Sequence, residues 1–404
     1  MFPMNKLTLT LALLAMLGPF SIDTYFPSFP ALADHFGVTM VEMQKTLSYY
    51  LMALAIMSLF HGALSDSFGR RKIAIVTLVI YTLAALGSIF VQSFEWLLVC
   101  RVLQGLTAGA GFIITQAIAR DLYRGHEAQK LMAKIMMLFS LAPAIAPILG
   151  GYLHIWFGWQ GVFFFLVLLG GALLALVSTQ LPETLPKEQR QHFHPVNLTA
   201  NYIKVLGNAQ FRLLALSGGL CFGALCVYVT SAPDFILNIL GLKETQFGWL
   251  FIPVVSGLML GSFFSHRYAE RMPPEKTIRY AYSLMLAAVT VNLLYNLFFT
   301  PSVPWAVLPL AFYMMGSAAV TPVLTLKALD HFPLNRGLAS SIMSFVTLVL
   351  FAGVSGFVTP IVHGSGLKLA AVTFGFFVLN CFVLWLAGRE KEKITVIASD
   401  IEHE

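Results

Sequence analysis

The sequence predicts an all-α integral membrane protein, with twelve transmembrane helices arranged as two related six-helix halves. Three observations lead there. Hydrophobic residues make up 58% of the 404 positions and charged residues only 11%, against roughly 25% charged in ordinary soluble domains. The chain also falls into twelve apolar runs, each near the ~20 residues that a helix needs to cross the hydrocarbon layer. Finally, the cations alternate from link to link. Of the 25 Lys and Arg side chains, 21 fall on one set of alternating segments and three (Lys45, Lys243, Lys368) on the other, with Arg101 left inside a helix. Positive charge collects on the cytoplasmic side, so both termini are expected there.

Taken in order, the first span is expected at about 7–29. Lys6, the apolar run behind it and Ala31-Leu-Ala33 mimic a signal peptide. The run is too long for one, and it carries Asp23 and three prolines near its end, so it reads as a retained helix. The next five spans fall at about 44–63, 73–92, 95–118, 130–153 and 159–180. The longest non-apolar stretch follows, from Pro182 to Asn208, rich in charge, histidine and proline. Six more spans come at about 211–233, 245–266, 275–298, 303–326, 336–361 and 366–388. This divides the chain into an N-terminal bundle (1–181), a cytoplasmic central loop (182–208), a C-terminal bundle (209–388) and a charged, frayed tail (389–404). A faint echo links the halves: Leu59-Phe-His-Gly62-Ala-Leu-Ser-Asp66 against Met259-Leu-Gly261-Ser-Phe-Phe-Ser265-His-Arg267. Weak internal symmetry of this kind is expected of transporters with a site between the repeats.

Several function classes drop out. The net charge of +6 is scattered over membrane loops and makes no aromatic-basic patch for nucleic acid. The four cysteines, Cys100, Cys221, Cys226 and Cys381, lie in apolar spans with no metal-ligand spacing and read as small buried hydrophobes. No His-Glu-x-x-His, Gly-x-Ser-x-Gly or phosphate-binding glycine loop is present. No enzyme, cofactor or metal is therefore expected.

Ionisable groups inside a span are costly and point to function. Asp23 and Arg101 stand out. Each lies about six residues from the far end of its span, roughly 9 Å deep at 1.5 Å per residue. Equal depth allows an ion pair, which is either a working proton site or a fixed clamp. Tyr25, Gln104, Gln116, Tyr228, Asn292 and Tyr313 are polar or amphipathic groups in apolar helices. They are candidates to line a substrate cavity or to bond a neighbouring helix. Asp234, at the end of span seven, is either an interfacial charge or a second titrating or cation-binding site.

Gly62-Ala-Leu-Ser-Asp66-Ser-Phe-Gly69-Arg70-Arg71-Lys72 is expected to be a short polar hairpin between spans two and three. It resembles the cytoplasmic loop of the major facilitator superfamily, G-x-L-[AS]-D-x-x-G-R-[RK]. Its cations equally serve as a plain topology signal. Leu98-Val-Cys-Arg101-Val-Leu-Gln104-Gly105 resembles the helix 4 motif of members that use the proton gradient. Ser21-Ile-Asp23-Thr-Tyr25-Phe-Pro27-Ser-Phe-Pro30 is similar to helix 1 of the bicyclomycin/chloramphenicol-resistance (Bcr/CflA) group of drug:proton antiporters. Leu181-Pro-Glu-Thr-Leu-Pro186, Thr230-Ser-Ala-Pro233 and Arg336-Gly-Leu-Ala-Ser340-Ser341 fit the same group. Leu141-Ala-Pro143-Ala-Ile-Ala146-Pro147-Ile-Leu-Gly150-Gly151 resembles the antiporter motif of helix 5, with Ala146 where a glycine is usual. Ordinary helix packing is the competing reading for Pro143, Pro147, Gly150 and Gly151.

The resemblance implies proton-coupled export of small, largely apolar compounds, such as phenicols or bicyclomycin, by alternating access. The alternative is proton-coupled movement of a metabolite, peptide or siderophore on the same fold. Asp23 would carry the proton beside Arg101. Gly62, Asp66, Gly69, Arg70, Arg71 and Asp121 would form a conformational gate, with Asp66 near the N-terminus of span eleven and Arg70 paired with Asp121; independent solvated charges are the competing reading. The implied partners are a small-molecule substrate, protons and the lipid bilayer, without nucleic acid. The implied setting is a monomer in a bacterial inner membrane.

Overall fold

A helix satisfies its backbone within one segment, so apolar runs bound for lipid become helices. The structure, a computed structural model, describes residues 6–123, 125–190, 193–268, 271–332 and 336–402, and among these every regular element is helical. Nine helical stretches are long and apolar enough to cross a bilayer, and two bent pairs raise the number to eleven. One of the nine, Lys130–Gln180, has 51 residues, about 75 Å at 1.5 Å per residue. That is more than twice the hydrocarbon thickness, and the helix is broken at Gly158, where φ is 69°. The spans are therefore twelve.

They are α1 (Lys6–Phe36), α2 (Met40–Ser58, continued by His61–Phe68 after a 49° bend), α3 (Arg70–Phe90) and α4 (Phe94–Leu122). Residues 130–157 form α5 and 159–180 form α6. Then come α7 (Ala209–Cys221, continued by Gly223–Thr230 after a 45° bend), α8 (Gly248–Tyr268), α9 (Pro274–Phe298), α10 (Leu308–Leu329), α11 (Arg336–Val362) and α12 (Gly366–Glu390). Polar residues set several starts. Thr39 and Glu42 close a capping box on α2, Thr39 Oγ1 accepting from Glu42 N at 3.1 Å and Glu42 Oε2 from Thr39 N at 2.9 Å. Asn208 Oδ1 accepts from Phe211 N at 2.8 Å to cap α7. Each cap contributes about 1 kcal/mol.

Four expectations need correction. The first span does not run straight to residue 29. It is helical to Asp23, breaks, and resumes as Phe29–Phe36, because Pro27 and Pro30 lack the N–H groups that would continue it. The polar hairpin after span two is mostly helix, since His61–Phe68 carries Gly62 in its first turn and only Gly69, at φ 100°, makes the turn. The central loop holds a helix of its own, Pro195–Leu206. The tail continues α12 as helix to Glu402.

The two halves repeat one another. Within the first, α2 and α3 pack on α4; within the second, α8 and α9 pack on α10. Between halves, α2 meets α11 and α5 meets α8, the same contact seen from either side of a pseudo-twofold axis. We call the face where α1 starts and α12 ends the near face, and the opposite one the far face. Phe26 stacks on Phe251 between halves at the far face, with centroids 6.4 Å apart. At the near face, Tyr202 of the central-loop helix donates to Leu59 O of α2 at 2.6 Å.

Candidate functional site

The break in α1 makes the site. Tyr25 N bonds to Ile22 O at 3.3 Å and Thr24 N to Phe20 O at 3.3 Å. Ser21 O is thus left without its usual partner four residues on, and a lone carbonyl in a dry interior must find a donor. Arg101 of α4 supplies it. Its Nη1 donates to Ser21 O at 3.2 Å and to Gln104 Oε1 at 2.8 Å. The guanidinium carbon lies 4.6 Å from the Tyr25 ring centre and 4.5 Å from that of Tyr50. Each such contact is worth up to about 2 kcal/mol when water is excluded, and Arg101 is wholly buried. Its Nε and Nη2 have no hydrogen-bond partner among the described residues.

Asp23 is also buried, 5% exposed. The expected ion pair with Arg101 is not made: no contact within 4.0 Å joins the two groups among the described ion pairs. The break turns the carbonyl of Ser21, rather than the carboxylate of Asp23, toward Arg101, and two tyrosine rings hold the guanidinium in place. Tyr25 and Gln104, candidates for a substrate cavity, are fully buried and serve Arg101. Gln116 is half-buried on α4. Tyr228 and Asn292 bond each other, Asn292 Nδ2 donating to Tyr228 Oη at 3.0 Å. Tyr313 is buried, and its hydroxyl has no hydrogen-bond partner among the described residues. Beside Tyr228, a small apolar cavity of about 10 Å³, room for one water at most, is bounded by Leu250, Phe251, Val254, Leu310 and Met314.

The near-face loop brings Arg70 to Asp121, Nε to Oδ2 at 3.2 Å. Asp66 does not reach α11. It pairs with Arg70 on its own half, while Arg336 at the start of α11 pairs with Asp330 at 3.2 Å. The buried side-chain hydrogen bonds between α2 and the other half lie toward the far face, and among the described residues no ion pair joins Asp66 to α11. Arg71 donates to Ser178 O, and Gly62 has open space around it.

Sequence reasoning missed that the central loop joins this near-face cluster. Glu183 Oε1 accepts from Arg70 N at 2.9 Å, Thr184 Oγ1 donates to Asp121 Oδ2 at 2.8 Å, and Arg190 lies 3.6 Å from Glu183. A side chain on Gly69 would strike the Glu183 carboxylate. The Leu-Pro-Glu-Thr run was the available signal. Glu183→Gln removes the anion capping α3 and a part-exposed ion pair worth up to about 1 kcal/mol. The expected result is a fall of about threefold to tenfold in transport rate at unchanged protein level, measured in vesicles.

Helix α5 approaches closely at two glycines. A Cβ on Gly150 would fall on Thr24 O, in the break of α1, and one on Gly151 on Glu244 O, in the other half. Pro143 and Pro147 lie inside the same helix. Asp234 is no exposed interfacial charge. It is 2% exposed, accepts from Asn238 Nδ2 at 2.9 Å and Gly364 N at 2.7 Å, and lies 3.3 Å from His363 Nε2. It fastens the end of α7 to the turn before α12.

Twelve spans in two repeats, with a broken helix and buried ionisable groups near their interface, define a membrane transporter. The sequence profile of the Major Facilitator Superfamily matches residues 11–357, and the chain belongs to that superfamily. Its relatives include a bicyclomycin resistance protein homolog of Haemophilus influenzae, 28% identical over 85% of this chain and 86% of that one. A chloramphenicol resistance protein of Pseudomonas aeruginosa is 28% identical over 79% of this chain and 75% of its own length. Among solved structures, a bacterial homolog of the human lysosomal transporter Spinster, inward-facing and unoccupied, shares the fold with a TM-score of 0.70 at 16% identity, over 95% of this chain and 96% of that one. The protein is thus a multi-pass membrane transporter and not an enzyme.

Proposed function

We propose that the chain is a drug:proton antiporter that exports small, largely apolar compounds of the phenicol or bicyclomycin kind. The observation that carries this reading is the buried carboxylate of Asp23 at a helix break, two residues beyond the carbonyl that holds Arg101. The names of the relatives support the substrate class. In this reading residues 1–181 and 209–388 are the two rocking bodies and 182–208 links them. The near face is cytoplasmic, with both termini, and the membrane is a bacterial inner membrane.

In this reading the cycle turns on Asp23. With the far face open, external protons reach Asp23 and neutralise it. A neutral carboxyl is cheaper to enclose than a charged one, so the protonated protein closes the far face. Arg101 stays on Ser21 O and between the tyrosine rings, and does not compete for the carboxyl. On the cytoplasmic side, substrate enters between the halves and Asp23 gives up its proton. The ionised carboxylate then favours the state in which water or Arg101 reaches it. Each step biases the rocking equilibrium only by its differential free energy between the two states.

The test uses everted membrane vesicles, acid inside. Adding a phenicol or a cationic dye is expected to draw protons out through the wild-type protein and raise the internal pH. Uptake of a labelled nutrient into whole cells, with no drug-driven proton movement in vesicles, contradicts export.

A further inference from the structure

The break in α1 has a counterpart in α7, and the two are satisfied differently. Helix α7 ends at Thr230, ahead of Pro233 and a π-helical turn from Asp234 to Ile239. Gln44 of α2 reaches across from the other half and donates its Nε2 to Thr230 O at 3.0 Å. One turn along, Ser48 Oγ donates to Ser355 Oγ at 3.0 Å, and Ser355 Oγ lies 3.4 Å from Gln44 Oε1. Ser355 stands in a second π-helical turn, Val354–Val358 of α11. Thr359 follows it and shares a 2.8 Å hydrogen bond with Thr230 Oγ1. Gln44, Thr230, Ser355 and Thr359 are at least 95% buried.

We propose that Gln44 and Ser48 are positioning residues of the transport cycle, forming an uncharged clasp that holds the far face shut against α7 and α11. A buried hydrogen bond is lost only at the full cost of desolvation unless water replaces it. Opening the far face floods the clasp, so Thr230 O and Gln44 exchange each other for water. Being neutral, the clasp is indifferent to pH and little screened by salt. It closes the gate equally for any substrate and leaves proton sensing to Asp23. The inference rests on the alternating-access reading above, but its first test needs no substrate.

Ser48→Cys together with Ser355→Cys is expected to form a disulfide on mild oxidation, detected by mass spectrometry of the digested full chain. In the oxidised protein, drug-driven proton movement should fall at least tenfold and return with reductant. Gln44→Leu should raise labelling of Ser355→Cys by a membrane-impermeant maleimide severalfold, and Gln44→Asn should raise it less. No disulfide, or a complete disulfide with undiminished transport, overturns the clasp. Labelling that is the same for Gln44→Leu and the wild-type glutamine also overturns it. If the disulfide forms and labelling shifts while no drug moves protons in the unmodified protein, the clasp stands and the drug:proton reading is what fails.

Discussion

Replacing Arg101 with lysine is expected to cut drug-driven proton movement at least a hundredfold while protein remains in the membrane. The planar guanidinium fills a slot between the Tyr25 and Tyr50 rings and spans from Ser21 O to Gln104 Oε1. Lysine carries the same charge as a compact point on a flexible stem and cannot stack between two rings while bonding both oxygens. A misplaced buried charge costs about 3–5 kcal/mol, and each 1.4 kcal/mol is a tenfold change. The ammonium is also free to find the Asp23 carboxylate, two residues past Ser21. The resulting fixed pair would hold Asp23 ionised through the cycle. Transport by Arg101→Lys within threefold of wild type, at equal protein level, would show that the guanidinium slot has no part in coupling.

The second large effect is expected at Gly151. Its Cα faces Glu244 O across the boundary between halves, and a side chain there would overlap that carbonyl. Backbone cannot yield as a side-chain tip can, so Gly151→Val keeps the far ends of α5 and α8 apart. The clash lies on the boundary between halves and leaves the packing within each half untouched, so the protein should accumulate normally and fail to close. Transport is expected to fall at least thirtyfold, and Gly151→Ala should lie between the two. The same maleimide labelling at Ser355→Cys that reports on the clasp should rise in Gly151→Val. Normal transport with unchanged labelling would mean that the contact is not a closure surface.

Much of the fold was legible in the sequence, for physical reasons that apply along the whole chain. Lipid leaves a backbone few choices, so apolar length and alternating cations identified the spans. The Arg70–Asp121 bridge was legible only through the family resemblance, which implied that pairing. What was not legible depends on local backbone geometry or on conformation. Pro27 was an available signal for the break in α1 that the straight span over 7–29 did not use, and nothing in the sequence said that the break would offer Ser21 O, rather than Asp23, to Arg101. Asp66 pairs with Arg70 on its own half rather than with the start of α11, a choice of partner that a motif by itself does not make. Gln44, Ser48, Thr230 and Ser355 are ordinary residues in apolar helices, and their bond across the halves appears only when α2 lies against α7 and α11. Asp234 sits where its span ends and read as surface. The turn at Gly364 covers it.

The central claim is that Asp23 carries the coupled proton. The most direct measurement is substrate-induced proton efflux from acid-inside everted vesicles holding equal amounts of wild-type protein or Asp23→Asn. Asparagine keeps the size and polarity of the side chain and removes only its titration. A phenicol is expected to draw protons out of wild-type vesicles, and Asp23→Asn to be silent while still binding the drug. An equal response from both proteins would contradict it and leave Asp23 a structural residue at the break in α1.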